Sequence, residues 1–430
     1  MEEEIIVFIE KIEHLENGRY YLLLDFPALF SSEKNNNSEF NKFIERIEGH
    51  NFIRSEDTSM LELTNVNIQS HIVPREGSFY ALPKDLLNVD LWRENNFESV
   101  SQNNYLAFSV NANYIKKVNF KKAHSYYGFL TKVEGNYTIN ELSEKIELNI
   151  NNPRRIVFRV RDIGQGNLNE VYFYNKMYIL YDIGSKQSGI IKDRLRRIKI
   201  YCDRLRKFKR LKEENATNIY QKDRTLIISH WDIDHYNGIF HLEEMGILDC
   251  FDVFILPVRI PNQTSERAYQ KIKALNKKII SVEMRRRDKS DRRGSTLVKI
   301  LDTTHIKLYK GSNSSDRNQS GIVLTIHKDN SEVIMPADHH YKQLDNFVID
   351  NNNYNNKYLV VPHHGGNAGD VNLVCKWNNC EQAIISAGEN QWGHPLKDNV
   401  RTINNKFSLN THITKNKACK RNYCDYVKLL

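Results

Sequence analysis

The 430-residue chain contains no apolar run approaching the roughly 20 residues that a membrane span needs, so no membrane-spanning segment is expected. Its first residues, MEEEIIV, carry neither a basic stretch nor a small-residue cleavage site. No secretory leader is therefore read there, and the expected setting is cytoplasmic. No internal repeat stands out. Cysteine is scarce, at six residues, and a reducing cytosol makes disulfides unexpected. Asparagine is plentiful, as in 35–37 and 351–353, which reflects genome composition more than function. A 40% hydrophobic fraction is enough for a real core, and the length allows two domains or one large domain with an appendage. The net charge of +9 suits a phosphate-bearing partner without proving one.

The most informative stretch is 225–238, TLIISHWDIDHYNG. Residues 225–229 are short, apolar and β-branched, as in a buried strand. Within the next six residues stand four potential metal ligands, His230, Asp232, Asp234 and His235, and Gly238 gives the chain room to turn. Such spacing after a rigid strand lets side chains converge on one point or on two adjacent points. Imidazole together with carboxylate suits zinc, manganese or iron, not the all-oxygen sites of calcium and magnesium.

Residues 1–150 bear no motif. Strands are expected at 5–12 and 20–24 with a turn at 16–18, and at 79–82 and 105–110, with a helix at 40–47. These make a mixed α+β module that recruits a partner, contacts substrate or braces the rest. The polar segment NINNPRR, 149–155, sets the expected boundary, leaving 151–430 as the second domain. Further on, Ile191, Leu195, Ile198, Cys202 and Leu205 recur at spacings of four and three, the pattern of an amphipathic helix. Its opposite face is strongly basic, including Arg194, Arg196, Arg197, Arg204, Arg206, Lys207 and Arg210. That face is either simply solvated or a surface for a nucleic-acid backbone. A second basic patch, Arg285, Arg286, Arg287, Lys289, Arg292 and Arg293, lies in an expected loop.

The pattern H-x-D-x-D-H at 230–235 resembles the metal motif of the metallo-β-lactamase superfamily. Asp232 replaces the usual second His, as in the hydrolase domain of the DNA-uptake protein ComEC and its free-standing relatives. Other segments resemble that group in the same order. Asp162-Ile163-Gly164-Gln165-Gly166-Asn167 is similar to its opening D-V-G-Q-G-D. Asp182-Ile183-Gly184 matches its first Asp, and Asn318-Gln319-Ser320 part of its N-x-N-S. Pro336-Ala337-Asp338 ends a strand where the group has Gly-Asp, Pro362-His363-His364-Gly365-Gly366 resembles H-H-G-S, and 388–395 reproduces G-x-N-x-x-G-H-P. A third-motif His is missing, as it is in the ComEC-like group. The resemblance spans about 156–400 and implies an αββα sandwich, an α/β (α+β) fold, for 151–430.

It also implies a site holding two divalent ions, zinc or manganese. His230, Asp232 and Asp338 would hold the first, and Asp234, His235, Asp338 and His394 the second. His363, favoured over its neighbour, would complete a shell or protonate the leaving oxygen. Asp234, His363 and His394 are thus the candidate catalytic residues. Asp162, Asp182, Asn318 and Ser320 would stand behind the ligands. Cys375 and Cys380, with Cys419 and Cys424, form two C-x4-C pairs that either bind a structural zinc or remain unlinked thiols.

The implied activity is metal-dependent phosphodiester hydrolysis, as a nuclease on DNA or RNA. Two alternatives stay open: hydrolysis of a small substrate such as a cyclic nucleotide, lactone or thioester, and a non-catalytic regulatory module whose site has decayed.

Overall fold

The computed structural model describes residues 4–14, 20–25, 54–55, 58–66, 74–83, 116–118, 132–149, 153, 155–173, 177–184, 195–196, 198–199, 224–283, 296–312, 317–349, 354–377, 379–388, 393–414 and 425–430. They divide into two compact units. The first comprises Met1–Thr131 with Ile260–Arg267, the second Lys132–Arg259 with Ala268–Leu430.

The first unit is built on one antiparallel sheet of β1 (Glu4–His14), β2 (Tyr20–Asp25), β3 (Arg54–Ser55), β4 (Thr58–Val66), β5 (Ser78–Pro83) and β6 (Lys116–Val118), in the order β3-β4-β2-β1-β5-β6. Two acidic groups buried in it are satisfied by the inserted segment: Asn262 Nδ2 donates to Glu10 and Thr264 Oγ1 to Asp25, each at 2.9 Å. The strands expected at 5–12, 20–24 and 79–82 are present. The helix expected at 40–47 and the strand at 105–110 lie outside the described residues.

The second unit opens with helix α1 (Ile139–Asn149), whose Thr138 and Glu141 cap each other: Glu141 N donates to Thr138 Oγ1 and Thr138 N to Glu141 Oε2. Its Leu142 and Ile146, one turn apart, are buried in the main core. For that reason the units part at Thr131/Lys132, earlier than the polar segment at 149–155 had indicated.

Two sheets follow. The first contains β7 (Ile156–Val160), β8 (Leu168–Phe173), β9 (Met177–Ile183), β10 (Arg224–Ile227), β11 (Val253–Pro257) and β12 (Lys278–Val282). The second runs in chain order through β13 (Leu297–Asp302), β14 (Ile306–Gly311), β15 (Ile322–Lys328), β16 (Ser331–Met335), β17 (Asn356–Val360), β18 (Gln382–Ile385) and β19 (His412–Ile413). The last strand, β20 (Tyr426–Leu429), returns to the first sheet beside β7. Among the described residues each sheet thus has seven strands.

Phe158, Val171, Ile227 and Ile255 of one sheet share a buried cluster with Leu308, Leu324, Val333 and Tyr358 of the other, so the sheets pack face to face. On the outer face of the second sheet, Tyr309, Ile334 and Leu359 pack with Leu344, Trp377 and the Ile403 and Phe407 stripe of the C-terminal helix Lys397–Phe407. In the chain α2 (Ile233–Tyr236) and α3 (Gly238–Glu244) connect the parallel strands β10 and β11, and α4 (Gln263–Lys273), of which residues from Ala268 on belong to this unit, precedes β12. Two sheets enclosed by helices form the αββα sandwich that the sequence led us to expect.

What positions the site is strand direction. β9, β10 and β11 are mutually parallel, as are β16, β17 and β18. Their C-terminal ends therefore open on one edge of each sheet. The two edges are stitched together where Ile322 N donates to Ser229 O (2.9 Å) and Tyr181 Oη to Ile322 O (2.6 Å).

Of the basic amphipathic stretch at 190–212, residues 195–196 and 198–199 are described. They are helical, with Leu195 and Ile198 buried and Arg196 exposed. Arg194, Arg197, Arg204, Arg206, Lys207 and Arg210 lie outside the described residues, as does the second basic patch. Among the described residues no helix is long and apolar enough to cross a membrane.

If α1 belongs to the sandwich, Leu142→Ala should lower the unfolding free energy of that unit by about 2–5 kcal/mol, the usual cost of a buried Leu truncation. Urea unfolding monitored by tryptophan fluorescence would show it as an earlier midpoint. An unchanged midpoint would detach the helix from that core.

Candidate metal centre

β10 ends in the ligand-rich loop because the backbone after Ile228 leaves the sheet at Ser229. The Ser229 amide and hydroxyl both donate to the Asp182 carboxylate, at 2.7 and 2.8 Å. Asp182 is fully buried at the end of β9, where φ of 57° turns its side chain back toward the loop. It also receives His235 Nδ1 at 2.8 Å. Next to it Gly184 is required, since a Cβ there would overlap the Asp234 carbonyl group. Asn167, at the end of the Gly-Gln-Gly turn, holds the same loop from the other side: its N–H donates to Asp234 O (3.0 Å), and its amide lies 3.4 Å from His235 Nδ1.

A carboxylate can only accept, so His235 bonds Asp182 through a protonated Nδ1 and turns Nε2 inward. His364 is set the same way, with Nδ1 donating to Ser386 O at 2.7 Å. Its Nε2 then sits 3.2 Å from Asp234 Oδ2. His235 Nε2 is 3.3 Å from Asp338 Oδ1, and His363 Nδ1 3.2 Å from Asp338 Oδ2. His230 Nε2 lies 3.6 Å from Asp232 Oδ2 and 3.8 Å from Asp338 Oδ2. Two groups made wholly of described residues of this unit have donor atoms within 4.8 Å of one another, His230/His235/Asp338 and Asp234/His235/His364, and all these residues are buried.

A divalent ion fits this donor set. His230 Nε2, His235 Nε2, His364 Nε2 and both Asp338 oxygens are buried without hydrogen-bond partners, a costly condition for a folded chain unless something else coordinates them. The electrostatics agree. Burial opposes ionisation of Asp338, but His235 and His363 outweigh it and hold the carboxyl well below its usual range. Burial likewise disfavours the His235 imidazolium, and Asp338 with Asp182 more than offsets that, raising His235 well above its ordinary value. The proton so held is the one that a metal ion displaces on binding.

The ends of the remaining strands are strained to deliver these groups. Ala337, just after β16, and both His363 and His364, just after β17, have φ near 50° (52°, 51° and 51°). Each costs on the order of 1–3 kcal/mol in a non-glycine residue. Gly366 then lets His394 reach His363, for a Cβ there would overlap the His394 ring; the two imidazoles stand 5.3 Å apart.

The structure brings His230, Asp232, Asp234, His235, Asp338 and His363 together, with His394 beside His363. Asn318 Nδ2 lies 3.3 Å from His363 Nδ1. Asp162 and Ser320 are turned elsewhere: Asp162 faces its own turn at Gly164 N (3.4 Å), and the Ser320 hydroxyl donates to Arg317 O (2.8 Å). His339 sits behind the site on Gln343, and burial lowers it to about 4.

Three residues here were not singled out from sequence. His364 joins Asp234 and His235 in the donor group where His394 had been expected. Ser229 anchors the loop, and Arg317 NH1 lies 3.2 Å from Asp232 Oδ1. The HH pair itself was the signal for His364. A strand-terminal Ser and a lone loop Arg have no spacing that marks them.

The cysteine site is not built from its described half. Cys375 is exposed, whereas the Cys380 thiol is buried, donates to Gln382 O at 3.2 Å, and is pushed up to about 12 by burial. A metal ligand needs the thiolate, which this setting disfavours. Cys419 and Cys424 lie outside the described residues.

Because Asp182 fixes both the loop and the His235 tautomer, Asp182→Asn should weaken divalent-metal affinity about 10–100-fold while leaving the fold intact. Calorimetric Mn²⁺ titration alongside near-UV circular dichroism tests this; unchanged affinity would make Asp182 merely a loop brace.

No family model and no curated protein matches the chain. Among solved structures it is similar to the metallo-β-lactamase fold protein YhfI from Bacillus subtilis, at 12% identity and a TM-score of 0.36, over 64% of this chain and 100% of that one. It is also similar to a diphosphatase of the PhnP family, at 10% identity and a TM-score of 0.31, over 63% and 97% of the two chains.

Proposed function

We propose that the chain is a metal-dependent hydrolase of phosphodiester bonds, a nuclease acting on DNA or RNA in the cytoplasm. One observation supports this above the others: His230 Nε2 and His235 Nε2 after β10, both Asp338 oxygens after β16 and His364 Nε2 after β17 converge, buried and without hydrogen-bond partners at those atoms. A divalent ion bound there supplies Lewis acidity toward a phosphoryl oxygen and an acidified water at neutral pH. The protein's part is to hold the donors rigidly and keep their lone pairs inward. Asp182 and the Ser386 carbonyl do this for His235 and His364.

His363 and His394 stand at the side of the cluster, adjacent to each other and less deeply buried than His235 or His364. Either ring can pass a proton to a departing alkoxide, and Asn318 beside His363 Nδ1 restrains that ring's rotation. The phosphodiester reading rests further on the net charge of +9 and the basic stretch at 190–212, with Arg196 exposed.

The test is cleavage of labelled single-stranded and duplex DNA and RNA with manganese, zinc or chelator. We expect metal-dependent cleavage that Asp338→Ala reduces more than about 100-fold, beyond the loss typical of a merely supporting residue. Rates under subsaturating substrate should fall steeply between about 50 and 200 mM salt, as phosphate-backbone binding does. Wild type inert on all four polymers with metal bound would shift the reading to small phosphodiesters.

A further inference from the structure

The two ends of the donor cluster are not equally equipped, and Arg317 marks the difference. His235 Nε2 falls in both donor groups, and one imidazole nitrogen binds one ion. Given to Asp234 and His364, with Asp338 Oδ1 3.3 Å away, it leaves His230, Asp338 Oδ2 and Asp232 for the other position. Asp232 Oδ1 is ion-paired with Arg317 NH1 at 3.2 Å, with Oδ2 left toward His230, and that guanidinium also donates to Trp231 O at 3.4 Å. It is anchored on two groups of the metal loop itself, so it is not a surface side chain that happens to pass by. Its side chain is 17% exposed and that of Asp232 only 3%, so the pair is poorly screened. Among the described residues no further imidazole joins His230 there: His339 is engaged by Gln343, and His340 lies 3.5 Å from the Gln319 amide.

We propose that Arg317 occupies the role of the first metal ion, so that the centre takes a single divalent ion at Asp234, His235, His364 and Asp338. This rests on the metal-centre reading and not on the identity of the substrate. A guanidinium salt-bridged to Asp232 cancels the charge that would attract a second dication and repels that dication directly. It is also permanently charged at any physiological pH, as an ion at that position would be. Asp232 in place of the superfamily's second His then has a physical meaning: a carboxylate pairs with arginine, whereas an imidazole would not.

Metal stoichiometry decides this. Chelator-stripped protein is titrated with Mn²⁺ alone, with bound ions counted by equilibrium dialysis and elemental analysis, and Mn–Mn coupling sought by electron paramagnetic resonance. One ion per chain is expected in wild type and in Arg317→Lys, which keeps the charge. Arg317→Met, which keeps the stem and removes the charge, should bind a second, weaker ion with a coupled spectrum. Adding Asp232→Asn to that variant should return it to one. Two ions in wild type would overturn the proposal while leaving the metal centre standing. A Met variant that stays at one ion would overturn the role of Arg317. No bound ion in folded wild type would remove the metal centre, and this proposal with it.

Discussion

A buried carboxylate must be solvated by the protein, and for Asp182 the solvating groups are the Ser229 amide, the Ser229 hydroxyl and the His235 imidazole. Those three donors lie just beyond the point where β10 stops being a strand. Asp182 therefore does two things with one charge. It ends the sheet, by drawing the Ser229 amide toward its own side chain, and it fixes the imidazole that follows. Charge-assisted bonds of this kind are roughly twice as strong as neutral ones, and at zero exposure they are not diluted by water. The rest of the centre is arranged against that fixed loop: Asn167 and Gly184 pack on its backbone, and the second sheet meets it at Ser229 O.

The opposite side of the centre is delivered differently. Asp338, His363 and His364 come from the second sheet, where no hub comparable to Asp182 organises them. Instead the chain bends sharply at the strand ends through left-handed residues, Ala337 and the two histidines. Such strain persists only when the surroundings over-determine it. Here they do so through the close-packed edge beneath: His364 is pinned by Ser386 O, His363 N by Ala337 O, and Gly365 O and Gly366 O by the Asn399 amide. One half of the site is thus held by a buried charge and the other by backbone conformation.

This division explains what was legible in the sequence. The sandwich was implied by the resemblance of motifs that stand at the ends of short apolar runs, where the candidate ligands follow the strands directly. The candidate ligands at 230–235 stood out for the same reason. The units meet at Thr131/Lys132 and not in the polar NINNPRR, and the helix before that segment, with Leu142 and Ile146, is only a pair of apolar residues until the core they enter is known. The choice between His363 and His364 depended on two consecutive φ values near 51°, which no side-chain pattern encodes and which bring both rings to the carboxylates. In an ordinary extended backbone the two would have diverged, and preferring one of them would have been sound.

Arg317 shows the same limit from the side of electrostatics. Asp232 was legible as a metal ligand because a carboxylate beside an imidazole is good coordination chemistry. It is equally good salt-bridge chemistry, and only proximity decides between them. Burial alone would push Asp232 toward neutrality, but Arg317 and His230 reverse that and lower its pKa. The carboxylate is therefore ionised whether or not an ion lies next to it, and its charge is spoken for from the outer side. A ligand motif specifies which atoms a metal can use. How many of them it is left to use is set by the neighbouring charges, and those arrive from a loop more than eighty positions away in the chain, as the Trp231–Arg317 contact shows.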